Sequence, residues 1–320
     1  MHGWWVLGSM SDLTVIVVSW NCKGYLADCL RSIESSGSNT APVVVVDNNS
    51  NDGTVEMLRQ EFPQIHLLVN RENTGFATAN NQALKKVQSR YVLILNPDTV
   101  VRPGALDAMV RFMDEYPDVW AAGPTILNGD GSRQHSGVRF PNNWNIFVEA
   151  LFLDRLFPQS RLFGRHKELY EDPTLSREVD YLQGSCLMVR SSAIERVGGL
   201  DERFFMYFEE TDWCYRMKAE GGKICTCPPA TVIHFGGTAL GHFDEQRLTH
   251  YHRSLLRFYR KHYSPSRTIA VRVILWFRSL IRICVWCIAW FARPALRSSA
   301  ASSVRGYVNV IGMLLTREAE

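Results

Sequence analysis

The chain lacks the glycine-rich loops with which many α/β proteins hold phosphates. The first predicted strand is followed by Ser19-Trp20-Asn21-Cys22-Lys23-Gly24, which contains no Gly-x-Gly-x-x-Gly, and no Gly-Lys-Ser/Thr loop occurs anywhere. These absences disfavour a nicotinamide-type dinucleotide fold and a Walker-type phosphate loop. The segment also lacks the triphosphate loop expected of a sugar-1-phosphate nucleotidyltransferase. Any substrate phosphate must therefore be neutralised by another group, such as a metal ion.

Acidic residues are missing from Gln246 to Arg317. Residues 1–245 carry 22 Lys and Arg against 30 Asp and Glu, whereas residues 246–320 carry 13 against 2. The formal net charge of +3 hides this asymmetry. We expect the basic block to meet an anionic partner or to lie on a membrane surface.

The start of the chain lacks the apolar core of a signal peptide, and we interpret residues 1–11 as an extension outside the fold. The eight cysteines lack the spacing of a disulfide framework. Two close pairs, Cys225/Cys227 and Cys284/Cys287, resemble metal spacings, but the second lies in an Arg- and Trp-rich helical pattern. Reduced thiols in the cytoplasm are the simpler interpretation.

Continuous apolar runs alternate with helical patterns in the first hundred residues, which predicts an α/β fold with buried parallel strands. The predicted strands are Thr14–Val18, Val43–Val46, His66–Val69 and Tyr91–Leu95. Right-handed crossovers place the carboxyl ends of such strands at one edge of the sheet. We therefore expect the polar residues that follow them to gather there: Asn21, Asp47, Asn70 and Asp98.

The hydrophobic pattern is less regular in the next part of the chain. It predicts a helix over Pro103–Glu115, a loop or hairpin over Gly123–Phe140, a helical insertion over Asn145–Phe163 and a strand over Asp180–Val189 broken at Gly184-Ser185. Short helices are predicted over Ser192–Val197 and Thr211–Ala219. We divide the chain into a catalytic domain over residues 12–245, with halves 12–122 and 123–245, and a basic helical tail over residues 246–320.

Two carboxylates at the predicted sheet edge have functional interpretations. Asn96-Pro97-Asp98 follows a buried strand directly, and its single carboxylate is suited to hold a divalent metal against a pyrophosphate. Asp47 begins a polar run that ends at Gly53, so it either forms an Asx-turn or binds a nucleobase or ribose. Both interpretations of Asp47 remain open at this stage.

Arg71 and His234 each have two interpretations. Arg71 precedes the predicted helix Ala77–Val87, where it either contacts phosphate or is solvated at a capped helix start. His234 ends a predicted strand over Ala230–Ile233, where it is either structural or a metal ligand through a neutral imidazole.

An acidic segment, Glu209-Glu210-Thr211-Asp212, follows the aromatic stretch Phe204–Phe208. Adjacent carboxylates beside buried aromatic rings repel each other and lose hydration, so the pKa of one of them should rise. That would suit a general base for a sugar hydroxyl. The alternative is a helix N-terminus whose acids match the helix dipole.

In this order and spacing the segments resemble the family-2 glycosyltransferases, which have the GT-A fold, and most of all the bacterial rhamnosyltransferase-like branch. The resemblance covers about residues 12–240. It rests on Val15–Asn21, Val46–Ser50, Asn73-x-Gly75-Phe76, Leu95–Asp98, Gly198–Phe205, Glu209-Glu210-x-Asp212 and His234.

The resemblance implies an inverting transfer from a nucleoside-diphosphate sugar. Asp98 would bind Mg²⁺ or Mn²⁺ with His234 as a second ligand, and Glu210 would be the base, with Glu209 as the alternative. Binding of the nucleotide-sugar would involve Ser19, Trp20, Asn21, Asp47, Arg71, Asn73, Gly75 and Asn96. The acceptor would lie near Gly184, Ser185, Asp201 and Asp212.

Two departures from the family pattern matter. The usual Asp-x-Asp is Asn96-Pro97-Asp98 here, so only one acidic metal ligand is present. The base position holds Glu210 where Asp is commoner, which changes its reach by one methylene.

The tail over residues 266–293 predicts a cationic amphipathic helix. At about 100° per residue, Arg267, Arg278, Arg282 and Arg293 fall within roughly 80° of one another, opposite a Trp-rich apolar face. The longest uncharged stretch, Ile283–Ala292, is too short to span a bilayer. The pattern predicts peripheral contact with the inner face of the membrane. The alternative is a helix packed on the catalytic domain or in a homo-oligomer, and nucleic-acid binding is disfavoured.

The sequence therefore predicts a metal-dependent inverting glycosyltransferase that moves a sugar, such as L-rhamnose from dTDP-rhamnose, to a glycan or lipid-linked acceptor in cell-envelope polysaccharide synthesis. The alternative is a non-catalytic nucleotide-sugar-binding scaffold of a polysaccharide assembly complex.

Overall fold

The structure, a computed structural model, describes residues 11–37, 41–134, 136–157, 159–160, 162–164, 172, 174–236 and 245–316. The predicted extension lies outside the described residues except for Ser11, which begins the first strand. The chain forms two compact units, which differ from the predicted division because residues 139–170 and 204–208 belong with the tail. The first unit comprises Met1–Val138, Glu171–Arg203 and Glu209–Leu240, and the second comprises Arg139–Tyr170, Phe204–Phe208 and Gly241–Glu320.

A mixed ten-stranded sheet forms the centre of the first unit, with the main path β3-β2-β1-β4-β11-β6-β12-β5. Strands β8 and β10 form a separate two-stranded sheet. The strands of both sheets are β1 (Ser11–Ser19), β2 (Val43–Asp47), β3 (His66–Val69), β4 (Ser89–Leu95), β5 (Thr99–Val101), β6 (Val119–Leu127), β7 (Arg133–Gln134), β8 (Gly137–Val138), β9 (Glu178–Val179), β10 (Tyr181–Leu182), β11 (Cys186–Arg190) and β12 (Lys223–His234).

Helices cover the sheet and build most of the second unit. They are α1 (Lys23–Ser35), α2 (Thr54–Glu61), α3 (Phe76–Leu84), α4 (Ala105–Glu115), α5 (Asn143–Ala150), α6 (Leu153–Leu156), α7 (Ser191–Val197), α8 (Glu209–Ala219), α9 (Glu245–His262), α10 (Pro265–Ala292) and α11 (Arg297–Leu315).

The predicted parallel half of the sheet is confirmed. Strands β1 to β4 pair in parallel, with Ser19 opposite Asp47 and Asp47 opposite Val69. Their β-branched and aliphatic side chains are buried on both faces, as continuous apolar runs require. On one face α1 packs with Leu26, Leu30 and Ile33, which recur at helical spacing. The carboxyl ends of β1, β2 and β4 therefore meet at one edge.

An antiparallel strand joins the second half of the fold to this edge. β11 pairs with β4 so that Cys186 lies opposite Leu95, and the Asn96 N–H donates to the Ser185 carbonyl at 2.9 Å. The predicted break at Gly184-Ser185 therefore brings that turn beside the residues that follow β4.

The predicted loop or hairpin over Gly123–Phe140 contains a hairpin, since β6 pairs antiparallel with β7. The turn begins later than predicted, because Gly123 itself lies within β6 and allows close packing: a Cβ there would lie 3.3 Å from the Cys186 carbonyl. The predicted helix start at Pro103 moves to Ala105, because Gly104 has a left-handed φ of 74° and precedes the first turn.

The tail forms three helices of the second unit, and two of the four arginines predicted to form its cationic face, Arg278 and Arg282, are turned into that unit, whereas Arg267 and Arg293 are exposed. On α10 the Arg278 guanidinium lies 3.7 Å from the Glu149 carboxylate, and Arg282 donates to the Glu149 carbonyl at 3.2 Å. Arg272 donates to the Leu314 carbonyl. These arginines therefore pack against α5 and α11, because they find acceptors there that an apolar surface cannot supply.

The exposed strip of α10 is apolar. It consists of Ile269, Val273, Phe277, Val285, Ile288, Trp290 and Phe291. The helix has 28 residues, and its most apolar 18-residue window has a mean hydropathy of 1.7. By length and composition it is long and apolar enough to cross a membrane, so the limit inferred from the uncharged stretch was wrong.

Candidate active site

Asn48, at the end of β2, organises the loops at the sheet edge. Its Oδ1 accepts from Asn70 Nδ2 at 2.9 Å and from Thr74 Oγ1 at 3.1 Å. Its Nδ2 donates to Asn73 Oδ1 at 3.1 Å and to the Gly75 carbonyl at 3.2 Å. The side chain is buried, so its hydrogen-bonding groups are all used within the protein. Asn48 was missed as a site residue because a polar run after a strand is also typical of a plain turn.

Asp47 is fully buried. Its Oδ2 accepts from the Ser50 N–H at 2.9 Å, one residue further along the chain than in an Asx-turn, and so holds the loop that leaves β2. Its Oδ1 is buried without a hydrogen-bond partner. Binding of a nucleobase or ribose by Asp47 stays a prediction.

The first strand end is fixed to the second by Asn21. Its N–H donates to Ser50 Oγ at 2.9 Å, and its Oδ1 accepts from the Asn51 N–H at 2.8 Å. Asn21 has a left-handed φ of 50°, a conformation that Asn tolerates well. Ser19 is buried, with its Oγ 3.3 Å from Cys22 Sγ, whereas Trp20 is 46% exposed. Trp20 therefore stands at the surface of this edge, where a flat ring can meet a ligand.

The predicted phosphate segment precedes α3. Gly75 has a φ of 83°, and its N–H donates to Asn73 Oδ1 at 3.0 Å. Arg71 is exposed beside this turn. The structure thus brings Asn73 and Gly75 into the Asn48 network and leaves the Arg71 cation at the surface.

Asp98 and His234 meet, as the metal prediction requires. Asp98 Oδ1 lies 3.3 Å from His234 Nε2, and both side chains are less than 15% exposed. The pairing of β12 with β5 sets this contact, because it places His234 opposite Thr99, next to Asp98. Gln134 Oε1 lies 2.9 Å from His234 Nδ1, and Gln134 Nε2 donates to the His234 carbonyl at 2.6 Å. Gln134 therefore orients the imidazole so that Nε2 faces the carboxylate.

The Asp98–His234 pair supplies two potential ligands, and a divalent ion bound by them stays a prediction. Adjacent ligands of an octahedral Mg²⁺ at about 2.1 Å are about 3 Å apart, close to the separation of Asp98 Oδ1 and His234 Nε2. Within the described residues, no group of three or more His, Cys, Asp and Glu surrounds a common point. Asn96 stands where the family pattern has a second acid. Its backbone carbonyl accepts from Thr99 Oγ1 at 2.7 Å.

Glu209 and Glu210 begin α8 with buried carboxylates. One oxygen of each, Oε2, is buried and without a hydrogen-bond partner. Burial raises the pKa of Glu210 to about 7, and backbone hydrogen bonds, including one from Gly184, partly offset the effect. Burial, together with the charge of Glu210, holds the pKa of Glu209 well above its usual range. Glu210 therefore ionises near neutral pH, and only an ionised carboxylate accepts a proton.

The predicted acceptor turn lies beside this base. A Cβ on Gly184 would lie 3.5 Å from Glu210 Cγ, so the absence of a side chain there lets the turn approach the carboxylate. Ser185 is buried, and its Oγ has no hydrogen-bond partner. Gly184 therefore lies beside Glu210 and Ser185 beside Asn96, and their contact with an acceptor stays a prediction.

The other two residues predicted to lie near the acceptor, Asp201 and Asp212, each pair with an arginine of the protein. The Asp201 side chain is only 12% exposed and binds the exposed Arg203 guanidinium, with Nη2 donating to Oδ2 at 2.6 Å. Asp212 is fully buried and accepts from Arg216 Nε at 2.8 Å. Arg216 in turn donates to the Gly199 carbonyl at 2.7 Å. The structure therefore gives Asp212 a supporting role under the 198–202 loop instead of a surface where an acceptor could touch it.

The same loop is held from a second side by Asn81 of α3. Its Oδ1 accepts from the Leu200 N–H at 2.9 Å, and its Nδ2 donates to the Leu200 carbonyl at 2.8 Å. Sequence reasoning missed Asn81, Gln134 and Arg216, because each acts on a segment more than fifteen residues away and no local pattern marks such pairs.

Known proteins resemble the chain over much of its length. Residues 14–198 match the sequence model of the family described as Glycosyl transferase family 2. The chain is 30% identical over 295 residues to the N-acetylglucosaminyl-diphospho-decaprenol L-rhamnosyltransferase of Mycobacterium tuberculosis (strain CDC 1551 / Oshkosh), covering 85% of this chain and 95% of that protein. The chain belongs to glycosyl transferase family 2. The predicted enzyme class, a glycosyltransferase, is confirmed.

A second relative is also named as a rhamnosyltransferase. The family 2 chain is 23% identical over 231 residues to Rhamnosyltransferase WbbL of Escherichia coli (strain K12), covering 69% of this chain and 82% of that protein. The predicted resemblance to the rhamnosyltransferase-like branch is therefore confirmed.

Solved structures confirm the predicted GT-A type of α/β fold for this glycosyltransferase. The mannosyltransferase PcManGT from Pyrobaculum calidifontis, in complex with GDP-Man and Mn²⁺, has a TM-score of 0.56 at 16% identity and covers 98% of this chain and 89% of its own. GalNAc-T7 with UDP, GalNAc and Mn²⁺ has a TM-score of 0.53 at 16% identity, and the match covers 70% of this chain and 43% of that chain.

Proposed function

We propose that this glycosyltransferase transfers L-rhamnose from dTDP-rhamnose, with inversion, to a lipid-linked glycan acceptor of the cell envelope. The observation that carries the proposal is the pairing, within one unit, of the Asp98–His234 contact with a buried glutamate whose pKa is about 7. Two relatives named as rhamnosyltransferases support the sugar, and the name of one supports an acceptor of the diphospho-lipid class.

Each group has a separate task in this proposal. Asp98 and His234 would hold Mg²⁺ or Mn²⁺, which supplies positive charge to the leaving diphosphate. Glu210 takes the proton from the acceptor hydroxyl as that oxygen attacks the anomeric carbon, and Gly184 and Ser185 lie beside it. Asp47 and Asn73 meet the nucleoside, while Trp20, Arg71 and Asn96 line the donor side. One base and in-line attack are sufficient for inversion.

Nucleotide-sugar binding is the direct test of the donor. We expect dTDP-rhamnose with Mn²⁺ to raise the Tm of the purified protein, and dTDP-rhamnose with EDTA to raise it little, because the diphosphate charge is then uncompensated. Thermal shift against dTDP-, UDP- and GDP-sugars, each with and without Mn²⁺, measures this. Stabilisation by another nucleotide-sugar alone would overturn the choice of donor. Stabilisation that is the same in EDTA would overturn the metal.

We also propose that the exposed strip of α10 contacts the inner face of the membrane. Phe277 is 55% exposed there, and burial of such a ring in the lipid interface is favourable. Phe277→Glu is expected to lower binding to anionic vesicles by about tenfold, measured by flotation. The matched control is Leu175→Glu in the first unit, since Leu175 is 62% exposed. Equal binding by both variants would contradict the assignment.

A further inference from the structure

The second unit exposes an apolar surface on α5 and on the segment that follows it. We call it the Trp144–Leu162 patch, and its members are Trp144, Phe147, Leu151, Leu156, Phe157 and Leu162. The first three recur at spacings of three and four residues, so they share one face of α5 and of the turn that ends it. Single exposed apolar residues are normal at a protein surface, whereas a contiguous group of large ones marks an interaction site.

Ring contacts join the patch into one surface. The centroid of the Trp144 ring lies 5.9 Å from that of Phe147 and 6.3 Å from that of Phe163, and the Phe163 ring lies 5.7 Å from that of Phe157. Trp144 Nε1 also donates to the Leu162 carbonyl at 3.1 Å, which holds the segment after α6 against α5. The exposed rings are therefore preorganised, and little side-chain entropy is lost when a partner covers them.

The charged groups of this segment are arranged in the opposite way from those of an ordinary water-exposed helix. Its two acids are turned inward, since Glu149 pairs with an arginine of α10 and Asp154 is 5% exposed. Of the described residues between 144 and 163, the exposed ones outside the patch are Arg155 and Gln159. The patch is therefore accompanied by an exposed cation, while the carboxylates of the segment lie inside the unit.

The neighbouring helix α10 brings further positive charge. Asn143 Nδ2 donates to the Arg267 carbonyl at 3.2 Å, so the start of α10 lies beside the start of α5. The Arg267 side chain is exposed, and no acid occurs in the sequence from Gln246 to Arg317. Exposed aromatic side chains beside arginines are complementary to an anionic bilayer, whose headgroups attract the cations while the boundary region accepts the rings.

The exposed strip of α10 belongs to a helix that packs directly against α5. Arg282 donates to the Glu149 carbonyl at 3.2 Å, and its guanidinium carbon lies 3.6 Å from the centroid of the Phe152 ring. The two helices therefore direct polar groups towards each other and leave apolar side chains exposed. Elements that lie in lipid have this arrangement, because a polar group there needs a partner from the protein.

We propose that the Trp144–Leu162 patch is a second membrane anchor, which inserts its aromatic side chains into the headgroup boundary of an anionic bilayer. Trp144 and Phe147 enter the apolar part of that boundary, while Arg155 and Arg267 bind lipid phosphates. Two anchors on one unit bind more strongly than α10 alone, since each adds apolar area that lipid removes from water. This inference rests on the proposed placement of the second unit at the membrane.

Flotation of the full chain with phosphatidylglycerol vesicles tests the patch. Phe147→Glu is expected to lower vesicle binding by about tenfold, because it replaces an inserted ring with a charge that lipid phosphates repel. Val308→Glu is the matched control on the same unit, since Val308 is 53% exposed on α11 and belongs to neither apolar surface. It should bind like wild type. Equal binding by the two variants would overturn the proposal.

Quenching of tryptophan fluorescence by brominated phosphatidylglycerol measures insertion without a change of charge. Trp144→Phe should lose part of the emission that these vesicles quench in wild type, because Trp144 then lies in the bilayer boundary. Trp20→Phe is the matched control, since Trp20 has a similar exposure of 46% but belongs to the first unit. It should keep the full quenched emission. The same quenched emission in both variants would contradict the insertion of Trp144.

A second copy of the chain is the other occupant that an apolar patch could accept. Sedimentation velocity without lipid should give wild type and Phe147→Glu the same mass. A wild-type dimer that Phe147→Glu dissociates would overturn the membrane assignment in favour of self-association.

The variant Phe277→Glu keeps this proposal apart from that of α10. Reduced vesicle binding in Phe277→Glu but not in Phe147→Glu would leave the α10 contact in place and overturn the second anchor. The reverse result would support the patch and overturn the role of the α10 strip. Both positions belong to the second unit, so the rise in Tm with dTDP-rhamnose and Mn²⁺ should equal that of wild type in both variants. Absence of that rise in wild type would count against the proposed transfer, while vesicle binding would still decide the patch.

Discussion

Replacing Glu210 with glutamine is expected to lower kcat by about 10²–10⁴-fold, the usual contribution of a general base. The amide keeps the shape of the side chain but cannot take a proton. Steady-state transfer kinetics at saturating donor and acceptor measure the loss, and donor KM should stay near the wild-type value. Turnover close to wild type would contradict the role of Glu210.

The pH profile follows from the same group. Because burial raises the pKa of Glu210 to about 7, its carboxylate is ionised above that pH and protonated below it. We expect kcat to fall about tenfold per unit as the pH drops below 7, and to level off above it. A wild-type profile that is flat between pH 5 and 8 would exclude Glu210 as the titrating base.

Glu209→Gln is the matched control, one residue away on the same helix. Burial and the charge of Glu210 raise the pKa of Glu209 well above its usual range, and Glu209 takes no part in the proposed proton transfer. Activity should be largely retained. Wild type loses native stability as the pH rises from the unfolded pKa of about 4.3 through the raised pKa, because the folded state holds the proton more tightly. The variant should therefore have the higher Tm in alkaline buffer and a similar Tm near pH 4.

Asp98→Asn is expected to lower kcat/KM for the donor by on the order of 10³-fold at saturating Mn²⁺, since a metal at the diphosphate contributes several kcal/mol. Asp98 is the one carboxylate within 4 Å of His234 Nε2 in the described site. Transfer rates across a Mn²⁺ titration measure the effect. Asp130→Asn, which removes an exposed carboxylate from the β6–β7 turn, should leave kcat/KM for the donor unchanged.

Asn96→Asp provides the converse experiment. It restores the second acid at the position where the family pattern has one, so Mn²⁺ should bind more tightly than in wild type. His234→Gln should weaken the metal dependence less than Asp98→Asn does, because a neutral ligand contributes less charge. Unchanged Mn²⁺ dependence in all three variants would overturn the metal site.

The site residues that could be predicted from the sequence are those that directly follow the ends of strands. Asp47 and Asp98 were placed from short apolar runs alone, because parallel strands bring their carboxyl ends to one edge. The supporting residues Asn48, Asn81, Gln134 and Arg216 were not, since their partners are distant in sequence and their residue types are common in loops. Glu209 and Glu210 were predictable only in part. A raised pKa could be predicted from the adjacent charges and aromatic residues, but the difference between the environments of the two carboxylates could not.

The sequence by itself determined the alternating α/β pattern, the family motifs and the acid-free tail, because periodicity and composition are local properties. Only the tertiary structure decided that Asp212 supports a loop, that His234 reaches Asp98, and that the arginines of α10 turn towards Glu149 and α11. The physical reason is the same in each case. A polar side chain is oriented by the groups it pairs with, and in each case one of those groups, such as the Gly199 carbonyl that Arg216 binds while it holds Asp212, lies on another segment whose position the local pattern does not contain.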